Sequence, residues 1–137
     1  MNGSALPGDW QSLVMASRAA RHNAYVPFSK FAVGAALCTT GGEVFTGCNV
    51  ENSSYGLTIC AERVAACSAI AAGKRDFDVM CISLKDSPVP CGACRQFLSE
   101  FSADMLILLD DVSRAAAREP ECLRLSDLLP RSFRLEP

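Results

Sequence analysis

The chain has 137 residues, half of them hydrophobic and a fifth charged, with a formal net charge of −2. That length suits one domain with its own core, so 1–137 is expected to be a single domain. The charge balance and the lack of a basic tract argue against a nucleic-acid partner. No apolar run approaches the roughly 20 residues that span a bilayer, so no membrane partner is expected. The opening MNGSALPGDW also lacks the basic-then-apolar layout of an export signal. A soluble, cytoplasmic protein is the expectation.

In chain order, residues 9–24 read as a helix. Asp9 is placed to cap it, and Trp10, Leu13, Val14 and Ser17 share one face at i, i+3, i+4 and i+7. The proline of VPFSK (26–30) should break it. FAVGAALC (31–38) and EVFTGCNV (43–50) are strand-like, and the TTGG between them is good hairpin chemistry. ENSSYGLT (51–58) is a polar loop. CAERVAACSAIAA (60–72) is alanine-rich and helical, stopped by Gly73. VMCISL (79–84) is a short apolar strand, SPVP (87–90) a loop, CGACRQFLSEF (91–101) a helix, and MLILLD (105–110) a buried strand. DVSRAAAREPE (111–121) commits to no single element, while CLRL (122–125) reads as a short edge strand ahead of SDLLP. A hairpin followed by alternating helices and strands predicts an α/β domain with its sheet sandwiched between helices. Both cysteine-bearing helices follow loops that return from strands, so their N-termini can converge at one end of the sheet.

The chain holds eight cysteines: Cys38, Cys48, Cys60, Cys67, Cys81, Cys91, Cys94 and Cys122. With no export signal and enough chain for a core, free thiols are expected rather than a disulfide framework. Cys38, Cys67, Cys81 and Cys122 read as small core hydrophobes. The single histidine, His22, reads as a surface residue of the first helix.

Cys91 and Cys94 have the spacing that lets both sulfurs reach one metal ion from a single helical turn. A thioredoxin-like redox pair and half of a structural zinc knuckle share that spacing, but no second C-x-x-C exists to complete a knuckle. Among the single cysteines, Cys60 stands out as a third ligand. It opens a helix, as Cys91 does, and Glu62 follows two residues later. Helix N-termini favour thiolates through partial positive charge and free N–H groups. Three thiolates on Zn²⁺ leave a charge of −1, which Arg63 and Arg95 are placed to offset. Three protein ligands with a fourth position open is the pattern of a catalytic zinc. Glu62 then has the chemistry of a proton carrier that is not itself a ligand. Because i and i+2 do not share a regular helical face, Cys60 must sit at the irregular helix start.

The C-A-E at 60–62, about thirty residues ahead of P-C-x-x-C at 90–94, resembles the signature of zinc nucleoside and nucleobase deaminases. VPFSKFAVGAAL, TGCNVENSSYGLTICAERVA, PCGACRQFLSEF and DLLPRSF extend the likeness to the small cytidine deaminases over about residues 10–133. The resemblance implies a three-layer α/β/α fold with a mixed central sheet of about five strands. It implies one Zn²⁺ per subunit on Cys60, Cys91 and Cys94, with Glu62 carrying protons and Arg63 tuning the thiolates. Asn49 and Glu51 would hydrogen-bond the ribose, Phe31 would pack on the pyrimidine, and Ala61 would shape the pocket. Tyr55 and Phe133 would reach the site of a neighbouring subunit in a homotetramer. The implied activity is hydrolytic deamination of cytidine and 2′-deoxycytidine in pyrimidine salvage. The alternatives are a deaminase of an aminonucleoside antibiotic such as blasticidin S and a non-catalytic zinc-binding module on the same fold. Val64 and Phe28 depart from the threonine and tyrosine common in such sequences, which bears on substrate preference more than on activity.

Overall fold

A computed structural model describes residues 5–86 and 89–137 of the chain. The loop expected at SPVP falls partly on residues 87 and 88, outside the described residues. The elements run α1 (Trp10–Arg21), β1 (Gly34–Thr39), β2 (Val44–Cys48), α2 (Ala61–Ala71), β3 (Phe77–Leu84), α3 (Gly92–Ser99), β4 (Leu106–Asp111), β5 (Glu121–Arg124) and α4 (Leu125–Leu128). A single 3-10 turn, Tyr55–Leu57, interrupts the polar loop before α2. Among the described residues, no helix is long and apolar enough to cross a membrane.

The sheet has five strands in the order β2-β1-β3-β4-β5. β3 and β4 pair parallel, and the other three neighbours pair antiparallel, so the sheet is mixed as expected. Side chains alternate across it. Leu37, Met80, Ile82 and Ile107 meet Ala65, Ala66 and Ala69 of α2 and Leu98 of α3 on one face. Ala36, Val79, Cys81 and Leu108 meet Leu13 and Val14 of α1 on the other. The result is the three-layer α/β/α arrangement. Each large apolar side chain enclosed this way contributes about 1.5–3 kcal/mol.

Several boundaries differ from the sequence reading, each for a tertiary reason. α1 ends at Arg21, three residues short, because Tyr25 leaves to pair with Val50: Tyr25 N–H donates to Asn49 C=O at 3.0 Å and Glu51 N–H to Tyr25 C=O at 2.9 Å. Asp9 occupies the N-cap position, but its side chain makes no capping bond; it lies 3.9 Å from Cys38 Sγ. β1 starts at Gly34 rather than Phe31, because the Asn49 carboxamide takes the Phe31 C=O and the Val33 N–H. Segment 112–120, which the sequence leaves open, forms turns, and β5 is the edge strand expected near CLRL.

Gly73 ends α2 as expected, with a φ of +85°. Its N–H reaches Ile70 C=O and the Lys74 N–H reaches Ala69 C=O, both at 2.9 Å, which closes a Schellman motif. Cys38, Cys81 and Cys122 are buried as expected, and burial pushes the Cys81 thiol up to about 12. Cys67 is exposed instead. The alanines at 65, 66 and 69 take the sheet-facing side of α2 and leave Cys67 on its outer side.

Candidate active site

The sheet places the starts of α2 and α3 side by side. β2 and β3 both run antiparallel to β1 and so point the same way; α2 follows β2 and α3 follows β3. Cys60 and Cys91 are the N-cap residues of the two helices, both with extended backbone (φ −72°, ψ 152° and φ −68°, ψ 167°). Cys60 therefore stands at the irregular start that its spacing from Glu62 requires. Cys94 lies one turn into α3 and is fully buried.

The sulfurs of Cys60, Cys91 and Cys94 lie within 4.8 Å of one another, and Cys60 Sγ is 3.8 Å from Cys91 Sγ. Tetrahedral Zn²⁺ with Zn–S bonds of about 2.3 Å sets its sulfurs about 3.8 Å apart, so the trio fits that ion. Among the described residues, no other His, Cys, Asp or Glu joins the group. One tetrahedral position is left without a protein ligand.

Charge around the sulfurs is arranged for a thiolate. The Cys60 thiol is lowered to about 5, first by its hydrogen bond with Cys94 and then by Arg63 and Cys91. Cys94 is pushed up, because it hydrogen-bonds to Cys60 and is buried. Arg63 Nη2 donates to Cys60 Sγ at 3.4 Å, and this bond raises the guanidinium further above its ordinary value. Arg63 Nε is buried without a partner among the described residues. Arg95 makes its hydrogen bonds to backbone rather than to the sulfurs: its Nε donates to Pro90 C=O at 2.8 Å and its Nη1 to Leu128 C=O at 3.0 Å. It fastens the segment before Cys91 and the end of α4 to α3.

Glu62, in the first turn of α2, is only 5% exposed. Burial pushes its carboxyl up to about 7. Ala61, between Cys60 and Glu62, is fully enclosed in the core cluster.

Of the remaining predicted site residues, Phe31, Asn49, Glu51 and Tyr55 gather around the loop that follows α1, and Phe133 does not. Glu51 Oε1 accepts from the N–H groups of Phe28 (3.0 Å) and Ser29 (3.2 Å), and its Oε2 accepts from the Ser29 hydroxyl. These bonds, the Ser29 hydroxyl first, hold Glu51 below the usual carboxylate range. Glu51, Tyr55, Phe28, Ser29 and Thr58 line a cavity of about 260 Å³. The rings of Phe28 and Tyr55 meet edge-on at 5.9 Å. Asn49 is 8% exposed, with one donor and one acceptor already committed to the 31–33 backbone. Phe31 is 47% exposed, so it is not a core residue. Phe133 is exposed, its C=O held by Gln96 Nε2 at 2.9 Å. A larger cavity, about 570 Å³, is lined by Asp86, residues 109–111, Arg114, Ala115 and residues 118–121 and holds none of the predicted site residues.

Sequence reasoning did not anticipate Ser29 or Thr58 at the cavity. The available signal for Ser29 was a short polar residue two positions after Pro27, the composition of a turn.

Relatives with known sequences and structures share both the fold and this site region. The zinc-binding region of the cytidine and deoxycytidylate deaminases matches residues 9–109. A cytidine deaminase of Sporosarcina psychrophila is 41% identical over 131 residues, 93% of this chain and 93% of the relative. One from Mycobacterium tuberculosis is 44% identical over 130 residues, 93% and 92% of the two chains. The crystal structure of the Burkholderia pseudomallei cytidine deaminase superposes with a TM-score of 0.83 at 43% identity, covering 89% of this chain and 97% of that one. The α/β/α layers and the sulfur trio are those of a zinc-dependent hydrolytic deaminase. This chain belongs to the cytidine and deoxycytidylate deaminase family.

Proposed function

We propose that this protein hydrolyses cytidine and 2′-deoxycytidine to uridine and 2′-deoxyuridine with release of ammonia, in pyrimidine salvage. The observation that carries the reading is the sulfur trio, which among the described residues leaves one tetrahedral position without a protein ligand, while the buried Glu62 carboxyl is hydrogen-bonded to Cys94. A closed structural site has no use for either feature. Cys60, Cys91 and Cys94 would hold the metal. When bound, Zn²⁺ supplies the Lewis acidity that makes water a nucleophile near neutral pH.

Glu62 takes the proton of the attacking water and delivers it to N3 of the pyrimidine, which makes C4 more electrophilic. A C4–O bond forms. Glu62 then moves the proton of the new C4 hydroxyl to the exocyclic amine, the C4–N bond breaks as the C4 carbonyl forms, and ammonia leaves. Arg63 offsets the negative charge of the sulfurs, and Ala61, between Cys60 and Glu62, shapes the pocket. Glu51 and Asn49 are the acceptor and donor for ribose hydroxyls. Each keeps unused hydrogen-bonding capacity: a second N–H and lone pair on Asn49, and one free lone pair on Glu51 Oε2. The exposed ring of Phe31 packs on the pyrimidine. Tyr55 and Phe133 are 75% and 66% exposed, which suits side chains that complete a neighbouring subunit's site in a homotetramer. The single domain 1–137 works in the cytoplasm on free nucleosides, with neither nucleic acid nor membrane as partner.

An ultraviolet assay of the zinc-loaded protein tests this against its alternatives. Cytidine and 2′-deoxycytidine should be converted, while cytosine and blasticidin S should not. Faster turnover of blasticidin S would reassign the enzyme to an antibiotic, and no turnover of any substrate at full zinc content would leave a non-catalytic zinc module.

A further inference from the structure

With nearly half its surface exposed, Phe31 is not aimed by packing. Its peptide is gripped by side chains instead. Ser29 Oγ accepts from the Phe31 N–H at 3.0 Å, and Asn49 Nδ2 donates to the Phe31 C=O at 2.8 Å. Between Ser29 and Phe31, Lys30 has a φ of 61°, the left-handed region that a side chain with a Cβ rarely adopts. Such a conformation persists where its surroundings over-determine it. Here the Lys30 N–H is also tied back to Val26 C=O at 3.1 Å.

The Ser29 hydroxyl has a second partner. A hydroxyl offers one proton and two lone pairs. The Phe31 N–H occupies a lone pair, so the proton is free to go to Glu51 Oε2. The same carboxylate receives the backbone N–H groups of Phe28 and Ser29 on Oε1. One side chain thus joins the acceptor for the sugar to the peptide that carries the ring. It does so at the wall of the 260 Å³ cavity, which Ser29 and Glu51 both line.

We propose that Ser29 is a positioning residue for the nucleoside: its hydroxyl couples the orientation of the Glu51 carboxylate to the aim of the Phe31 ring. This rests on reading the cavity as a nucleoside site. Removing the hydroxyl strips a donor from Glu51 Oε2 and the acceptor from the Phe31 N–H, and it leaves the left-handed Lys30 with one constraint fewer. Both recognition elements loosen together, while the sulfurs and Glu62, held by α2 and α3, stay in place.

The test uses the zinc-loaded full-length protein carrying Ser29→Ala or Ser29→Thr. A charge-assisted hydrogen bond is worth enough that Ser29→Ala should raise KM for cytidine about tenfold. Its kcat should stay within about twofold, its zinc content should be unchanged, and Ser29→Thr should restore most of the affinity. Lys30→Val, which puts a β-branched side chain where φ is positive, should repeat the KM effect. An unchanged KM overturns the proposal. So does a loss in which kcat, Tm and zinc content fall along with affinity and threonine rescues nothing. If the wild-type protein fails to deaminate cytidine at all, it is the functional reading that falls. The clamp is then judged by amide hydrogen exchange at Phe31: faster in Ser29→Ala and restored in Ser29→Thr upholds it, and no change removes it.

Discussion

Glu62 and Phe31 are assigned to opposite sides of one substrate, and they are held by different means. Glu62 is 5% exposed, one residue past a core alanine in a helix whose inner side is sealed against the sheet. Phe31 is 47% exposed, in a loop outside the sheet, and only hydrogen bonds from Ser29 and Asn49 fix its backbone. The same contrast runs through the neighbours of each. Cys94 is fully buried and Cys60 half-buried, with Cys91 alone of the three sulfurs at the exposed rim, while Tyr55 and Phe133 stand out into solvent. The reacting half is finished by the core of one chain, and a proton carrier gains from such enclosure because water cannot compete for its proton. The recognising half is left open, where a nucleoside enters and where a second copy has room to contribute.

The largest effects should come from breaking the enclosed half. Glu62→Gln keeps the shape of the side chain and removes its ability to accept a proton, so turnover of cytidine should fall by about 10³-fold. Metal analysis should still find one zinc per chain, because Glu62 is outside the sulfur group. Activity within tenfold of wild type would show that the proton travels another way. Next in size is loss of the metal. Cys94→Ala removes the buried ligand and should abolish both zinc binding and turnover. Chelation of the wild-type protein should lower Tm and activity together, and zinc should restore both. Binding that saturates a native site a thousandfold above its Kd contributes about 4 kcal/mol, and a thermal melt with and without chelator reads the difference.

The same contrast explains what the sequence revealed and what it hid. Local signals built the enclosed half. Cysteines at two helix starts, Gly73 as a stop, the apolar periodicity of α1 and the apolar run of β3 are each written within a few residues, and the structure has all of them. Cys67 looked like core because alanines surround it in sequence, but the three alanines that face the sheet leave it outside. The open half depends on contacts between distant segments. Nothing near Ser29 announces that Glu51, over twenty residues on, will lie in its hydrogen-bonding reach. The end of α1 was misplaced for the same reason, since Tyr25 pairs with Val50 rather than continuing the helix. A buried polar network was hidden too. Ser17, on the apolar face of α1, meets the hydroxyl of Ser83 at 2.5 Å, and Ser83 Oγ donates to Asp110 Oδ2 at 2.6 Å. Arg18 completes the network with two bonds to the Asp110 carboxylate at 2.8 and 2.9 Å. A serine on an apolar stripe was the visible clue, but its partners lie in two other elements.

A smaller effect should follow from loosening the enclosure without touching any ligand. A Cβ at Gly47 would stand 2.5 Å from both Ala61 C=O and Ala65 N–H, so β2 and the first turns of α2 approach at backbone distance. Gly47→Ala must push α2 off the sheet, and overpacking of this kind costs about 1–3 kcal/mol. The displaced turn carries Cys60 and Glu62, so zinc should be held more weakly as well as Tm lowered. A variant that melts earlier yet keeps wild-type zinc affinity and kcat would show that the sulfur trio tolerates movement of its helix.

The open half should show the reverse pattern, in which the chain is indifferent to a substitution and the assembly is not. Phe133 is 66% exposed, and its anchoring bond uses its backbone C=O rather than its ring. Phe133→Ala should therefore change Tm by only about 0.5 kcal/mol equivalent, as for surface positions generally. If the ring closes the site of another copy, KM for cytidine should still rise about five- to tenfold. Mixing separates that from an effect within one chain. Subunits carrying Phe133→Ala bring an intact Glu62, and subunits carrying Glu62→Gln bring an intact Phe133. When the two are unfolded and refolded together, some sites should regain both, and a population with wild-type KM should appear that neither parent shows. If KM in the mixture stays that of Phe133→Ala, the ring acts within its own chain or not at all, and recognition as well as chemistry would be complete in one copy.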